Sequence, residues 1–460
     1  MLKENFCASI PSLAAASSDY RKRMATVDNS SIIKLPENIA LDLLPTGVEW
    51  ITHIKEDLLP FWITPEALGS PTGNFPTFRA NSGAVIDPKN PPPEITKMGT
   101  HDTWLANRIG RQYTDMNSRQ IFAYCVAYHL TGVEKYLEYA KAGIDYMFTK
   151  MVDQHGHFYT WIENGKGAPE NIKQRTSQQM AYALMGPALY YYLTRDPEVL
   201  KVLLKTQQYI FSHYKEGNYL RWVNQDFTDL EEVNLTTQKE LVAQLDQINA
   251  YMLIATTVLE PKYRKIWLDD MLLLAHTMKD EFFNAENNIF WGRIDDESYK
   301  KLNQPHVGFG HAIKTLWMMY IIGNRFKIQD LSHFALKHMP QIFREAYSEE
   351  LHTWIEKKFA DGFMGTDRVW WIHDELDQAA ATLSLINLTD IRHLVSAYRY
   401  WFFDFVDLKN KEVWHTLTGK HERPRYLKAH LWKNAFHDFE HALVGYIACQ
   451  AIRKQPVKLY

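Results

Sequence analysis

The sequence is poor in cysteine: Cys7, Cys125 and Cys449 are too few and too scattered for a disulfide framework, and no two have metal-ligand spacing. A reducing, cytoplasmic location is therefore expected, with export left open. No apolar run approaches the ~18 residues needed to cross a bilayer, so no membrane partner is expected. The first 30 residues contain Lys3, small residues from Ala14 to Ser18, and Arg21 to Arg23, without the apolar segment of a secretory leader. Residues 1–35 are read as a flexible N-terminal arm. No Pro- or Ser-rich linker and no strand-rich stretch divides the remainder, so 36–460 is read as one catalytic domain. Charge of one sign is also lacking: the net charge of −3 leaves no basic footprint for nucleic acid. What is present is apolar and aromatic. Hydrophobic residues make up 46% and aromatics 13%, with 14 Trp and 25 Tyr, which suits a large helical core or a site that stacks on flat rings.

A period organises the chain. Helix-breaking corners follow Leu130, Leu193, Leu259, Ile322 and Ile386, which are 63, 66, 63 and 64 residues apart. Each corner holds Gly, Pro, Asn or Asp, residues that end one helix or begin the next. A repeat of that length accommodates two helices and two connections. Helices after the corners are amphipathic: from Glu134 to Met151, Leu137, Ala140, Ile144, Met147 and Met151 form one stripe. Helices before the corners, such as Leu316 to Ile322 and Ala442 to Ala448, are apolar all round and so buried on every side. Six pairs are counted, beginning with a surface helix from Pro36 to Trp62. The buried partners fall near Ser118–Thr131, Gln174–Thr194, Lys239–Val258, His311–Ile322, Trp371–Ile386 and Asn434–Ile452. Six buried helices inside six surface helices predict an all-α, six-hairpin toroid, the (α/α)6 barrel.

The connections are asymmetric. Buried-to-surface corners are short, whereas the returns, such as Asp153–Lys173, Asn284–Gly310 and Asp407–Lys433, are long. Long loops in a compact domain are usually functional. All of them rise at the rim carrying the N-termini of the buried helices, the positive ends of their dipoles. Polar residues gather there: Arg119 in the first, Lys173 to Gln179 in the second, Gln244, Asp246 and Gln247 in the third, His311 and Lys314 in the fourth, Trp370 to Glu375 in the fifth, and Trp432 to His441 in the sixth.

Several of these stretches resemble a known family. Arg119-Gln120 with the aromatics around Tyr124 is similar to the first motif of the N-acylglucosamine 2-epimerase superfamily, which includes cellobiose 2-epimerases and mannose isomerase-like proteins. Gly310-His311-Ala312-Ile313 looks like its Gly-His-x-x-Glu motif, Trp370-Trp371 its paired tryptophans, and Trp432-Lys433-x-x-x-His437 its C-terminal segment. The resemblance implies a carbohydrate 2-epimerase or aldose–ketose isomerase working through a cis-enediolate. His311 and His437 would be general acid and base, a task suited to imidazole. Arg119 would stabilise the oxyanion. Tyr124, Gln178, Asp246, Trp371 and Glu375 are expected to bind substrate, with Lys314, His373 and His441 supporting them. No metal or other cofactor is implied. The expected partner is a mono- or disaccharide, and the assembly a monomer or homodimer.

One residue departs from the pattern. Lys314 stands where the motif has Glu, and an ammonium cannot accept an imidazole N–H. Glu375 or Asp374 is expected to pair with Lys314 and support His311 instead. His437 and His441 have the i, i+4 spacing of zinc helices, but no third ligand is evident from sequence. Two other functions fit the same barrel. A glycoside hydrolase or lyase would draw its carboxylates from Asp246, Asp374 and Glu375. A carbohydrate-binding toroid would have lost catalysis with the change at Lys314.

Overall fold

The computed structural model describes residues 19–96, 103–168, 175–223, 238–419 and 426–460. Six inner helices lie within a ring of outer ones. The inner set is Thr114–Thr131; Ser177–Ala183 with Met185–Thr194; Leu241–Gln247 with its π-helical and α-helical continuation to Thr256; Phe309–Phe326; Trp370–Ser384; and Phe436–Ile452. After the first outer element come Glu134–Lys150, Pro197–His213, Pro261–Thr277, Gln329–Ala346 and Ile391–Tyr400. The first inner helix packs on the second and the second on the third; the fourth packs on the fifth and the fifth on the sixth. The sixth returns to the first and closes the ring.

Local chemistry sets the corners. Gly132 takes φ 68° and its N–H caps the Tyr128 carbonyl, ending the first inner helix in the left-handed conformation that glycine tolerates. Pro197 and Pro261 open outer helices at a position where the missing N–H costs nothing. Two expected helices are interrupted. The segment from Pro36 to Trp62 breaks between Leu43 and Gly47, where Pro45 intervenes and Thr46 forms a capping box with Glu49. The second inner helix breaks at Leu184 because Pro187, three residues on, has no N–H for the carbonyl of Ala183.

The described parts of the long returns carry short β pairs. Each described outer helix from the second onward is followed by a tight antiparallel pair: Val152 with Phe158, Lys215–Glu216 with Tyr219–Leu220, Phe283–Asn284 with Ile289–Phe290, Tyr347–Ser348 with Thr353–Trp354, and Val406 with Val413. The residue entering an inner helix then pairs with the next return: Tyr113 with Trp161, Thr176 with Val223, Glu240 with Arg293, and Val369 with Thr416. These pairs satisfy backbone groups at the rim and hold the inner N-termini in place.

The expected arm is corrected for residues 19–35. Tyr20–Met24 and Asn29–Ile32 are short helices whose Tyr20, Met24 and Ile32 are buried. Arg21 binds Asp57 at 2.9 Å, Arg23 binds Glu49 at 2.8 Å, and Tyr20 packs on Phe402 with ring centroids 4.6 Å apart. Hydrophilic composition suggested an arm, but these arginines are anchored on buried carboxylates. Residues 1–18, with Cys7, lie outside the described residues, as do Lys173 and Gln174. Among the described residues no helix is long and apolar enough to cross a membrane.

Candidate active site

A cavity of about 200 Å³ opens at the rim where the inner helices begin. Its wall holds Arg119 from the first inner helix, Gln178 and Tyr182 from the second, Asp246 from the third, His311 and Lys314 from the fourth, Trp370 and Trp371 from the fifth, and His437 from the sixth. His306 and Trp432 enter from the returns. Every inner helix thus contributes. The fit to helix starts is direct: His311 is the third residue of Phe309–Phe326, and His437 the second of Phe436–Ile452.

Trp371 lies against both histidines. Its ring centroid is 4.7 Å from that of His311 and 5.9 Å from that of His437. Gly310 permits this packing, since a Cβ there would lie 2.8 Å from the Trp371 ring. Burial holds both imidazoles well below their ordinary pKa. At His311 the neighbouring His306 and Lys314 add to the effect; at His437, Lys314 and Arg119 add to it. Both rings are therefore neutral at pH 7, the form able to accept a proton.

Arg119 lies over the Tyr182 ring at 4.0 Å and reaches the Trp432 carbonyl at 3.4 Å. Asp246 receives hydrogen bonds from Gln178 (2.7 Å) and from the Tyr182 hydroxyl (2.9 Å). Lys314 places its ammonium 3.4 Å from Asp246 and 3.5 Å from Glu375. The Lys314–Asp246 pair spans the seam between the third and fourth inner helices.

Arg119, Gln178, Asp246, His311, Trp371 and His437 are thus brought together, and six expected placements are corrected. Tyr124 does not border the cavity: it is fully buried, and its hydroxyl donates to the Trp62 carbonyl. Glu375 is fully buried beneath the floor, where it meets Lys314 and lies 3.5 Å from Nδ1 of His437, not beside His311. Lys314 is in the wall itself, not behind it. His373 bonds Thr353 at 2.8 Å and lies 3.2 Å from Asp377. His441 lies between Asp374 (3.2 Å) and Asp377 (3.0 Å). Both serve a separate polar cluster in the interior. Asp374 joins that cluster instead of pairing with Lys314. Tyr182 and His306 were not singled out from sequence. Tyr182 is four residues after Gln178, hence on its helix face, and that spacing was a usable signal. His306 stands in a return with φ 61°, and no periodicity marks it.

Known proteins share this architecture. The sequence profile of the N-acylglucosamine 2-epimerase (GlcNAc 2-epimerase) family matches residues 106–424. The cellobiose 2-epimerase of Bacteroides fragilis is 21% identical over 268 residues, which cover 56% of this chain and 67% of that one. The structure of cellobiose 2-epimerase from Spirochaeta thermophila superposes with a TM-score of 0.70 at 16% identity, covering 88% of this chain and 97% of that one. A D-mannose isomerase crystal structure gives 0.69 at 16% identity, covering 88% and 97%. The matched residues run through five of the six inner helices and include Arg119, Asp246, His311 and Trp371. On that extent of match, this (α/α)6 barrel belongs to the N-acylglucosamine 2-epimerase family of carbohydrate 2-epimerases.

Proposed function

We propose that the chain epimerises a sugar at C2, or interconverts an aldose and its ketose, with His311 and His437 as acid and base and Arg119 as oxyanion partner. The observation that carries this reading is that both imidazoles pack against one indole, Trp371, in one cavity. On the open-chain aldehyde, one neutral imidazole takes the C2 proton. The C–H electrons form the C1–C2 double bond, and the carbonyl pair moves to O1 as the cis-enediolate. The Arg119 guanidinium is the group in the wall suited to that oxyanion, because its charge is fixed before the reaction begins. Return of a proton to the other face of C2 by the second imidazole re-forms the C1 carbonyl and gives the epimer; return to C1, with the O2–H proton passing to O1, gives the ketose. Trp371 borders the space where the sugar ring would lie. The cavity is smaller than the ~300–1,000 Å³ of drug-sized ligand sites, which suits one sugar ring, with any second ring outside.

The hydrolase alternative is weaker. Of Asp246, Asp374 and Glu375, Asp246 alone lines the cavity, and it is engaged by Lys314, Gln178 and Tyr182. The test is incubation with glucose, mannose, N-acetylmannosamine or cellobiose in D2O. Deuterium at C2 is expected for at least one sugar. Absence of exchange together with thermal stabilisation by sugar would identify a binding protein instead.

A further inference from the structure

The two cavity histidines carry opposite charges three residues downstream: Lys314 follows His311, and Glu440 follows His437. Residues three apart share a helix face, so each charge lies beneath its own imidazole, toward the floor. There Lys314 meets Asp246 and Glu375 at 3.4 and 3.5 Å, and Glu440 is close enough to Lys314 and Glu375 to feel both charges. Glu375, His437 and Glu440 each present one atom within 4.8 Å of the others. Glu375 is fully buried. Neither of its oxygens, nor Nδ1 of His437, makes a hydrogen bond of good geometry among the described residues.

A proton is what this floor lacks. Three carboxyl groups face one ammonium, and Asp246 is already satisfied by Gln178, Tyr182 and Lys314. Glu375 and Glu440 remain, crowded against an imidazole nitrogen. Buried acceptors so arranged are stable only with a proton among them. Burial is the main force that raises both carboxyl pKa values, with mutual repulsion adding to it at Glu440; Lys314 opposes the rise. A metal ion would be the other occupant with the right geometry, but the Lys314 ammonium already faces Glu375 there. Arg119 and Lys433 add further positive charge around His437.

We infer that Glu375 and Glu440 are positioning residues that hold one proton between them behind Nδ1 of His437, with Lys314 as their counter-ion. His437 is then the imidazole connected to a proton store, while His311 exchanges protons with substrate and solvent. When the Nε2–H bond of His437 breaks to protonate the intermediate carbon, Nδ1 takes a proton from the carboxyl pair and the ring stays neutral. The His311 imidazolium formed in the first half loses its proton to water; after product leaves, Nε2 of His437 takes a proton from water and Nδ1 returns its own to the pair. This rests on the two-histidine reading above.

The test is C2 exchange and epimerisation from pH 5 to 9 for the wild type, Glu440→Gln, Glu375→Gln, Lys314→Glu, Glu440→Lys and the double exchange of Lys314→Glu with Glu440→Lys. Glu440→Gln should lower kcat about tenfold or more with little change in KM, and should move the alkaline limb of the profile. The two charge reversals should each collapse activity, and their combination should recover at least about tenfold over the poorer single change. Dialysis against EDTA should leave the rate unchanged. A Glu440→Gln profile superimposable on the wild type overturns the inference even if the charge reversals fail to fold. So does EDTA inactivation reversed by Zn²⁺. Wild-type enzyme without C2 exchange overturns the function proposed above, and this with it. Exchange that is indifferent to Glu440 overturns this alone.

Discussion

At the residue scale the site depends on which protonation states burial permits. His311 and His437 are held below the ordinary imidazole range, so each remains a competent base to lower pH than a free imidazole. The acid limb of kcat/KM should accordingly lie below pH 6.5; a limb at or above 6.5 would contradict the burial argument. His311→Ala and His437→Ala should each lower C2 exchange by about 10²–10⁴-fold, the usual contribution of a positioned acid or base, while the melting temperature changes little. Parent-rate exchange in either variant would remove that histidine from the chemistry. The same scale shows where sequence reasoning stopped. Tyr124 and Glu375 were expected in the wall because they lie near motif residues. A residue five positions from Arg119 points elsewhere on a helix, and only the packing reveals that Tyr124 faces Trp62.

At the element scale the close approach of inner helices is purchased with glycine. A Cβ at Gly186 would lie 2.4 Å from the Ser118 carbonyl oxygen, so the first and second inner helices approach backbone to backbone there. Gly186→Ala should cost about 1–3 kcal/mol of stability, readable by denaturant melts, as overpacking does elsewhere. Gly310 performs the same service for Trp371, and there the consequence is functional. Gly310→Ala should displace the indole from its contacts with the histidines and lower exchange more than it lowers stability; tryptophan fluorescence reports the displacement. Periodicity located all six inner helices because a helix apolar all round has few alternatives to burial. It missed the break at Leu184 and the short β pairs of the returns. A two-residue pair has no period to detect, and for the bridges at the inner-helix entries the partner lies dozens of residues away, as with Thr176 and Val223.

At the scale of the whole molecule the ring is tied to its N-terminal segment. Asp57 is buried, yet its carboxyl is held down to about 2: burial works to raise it, and His53 and Arg21 more than offset that. A depressed carboxylate contributes stability that is full above the unfolded value near 4 and is lost as pH falls toward 2. Its size is roughly 2 kcal/mol. Asp57→Asn should therefore lower stability at pH 7, and the deficit should narrow between pH 4 and 2. A deficit independent of pH would mean the loss is one of packing. Removal of residues 1–35 should destabilise the barrel outright, because it strips Arg21, Arg23 and Tyr20 from Asp57, Glu49 and Phe402.

Family motifs, not period, singled out the two histidines; the amino-acid sequence alone determined the helical class, the six-fold count and the rim that bears the cavity. Those features follow from local hydrophobic period and from residues that start or stop helices, both of which act over a few neighbours. Tertiary structure decided which polar residues share a cavity and which face away. It also decided that Lys314 answers to Asp246 and Glu375 on other helices, and that the N-terminal helices belong to the barrel. Such pairings join residues 36 to 68 positions apart, and no local pattern encodes a partner at that distance.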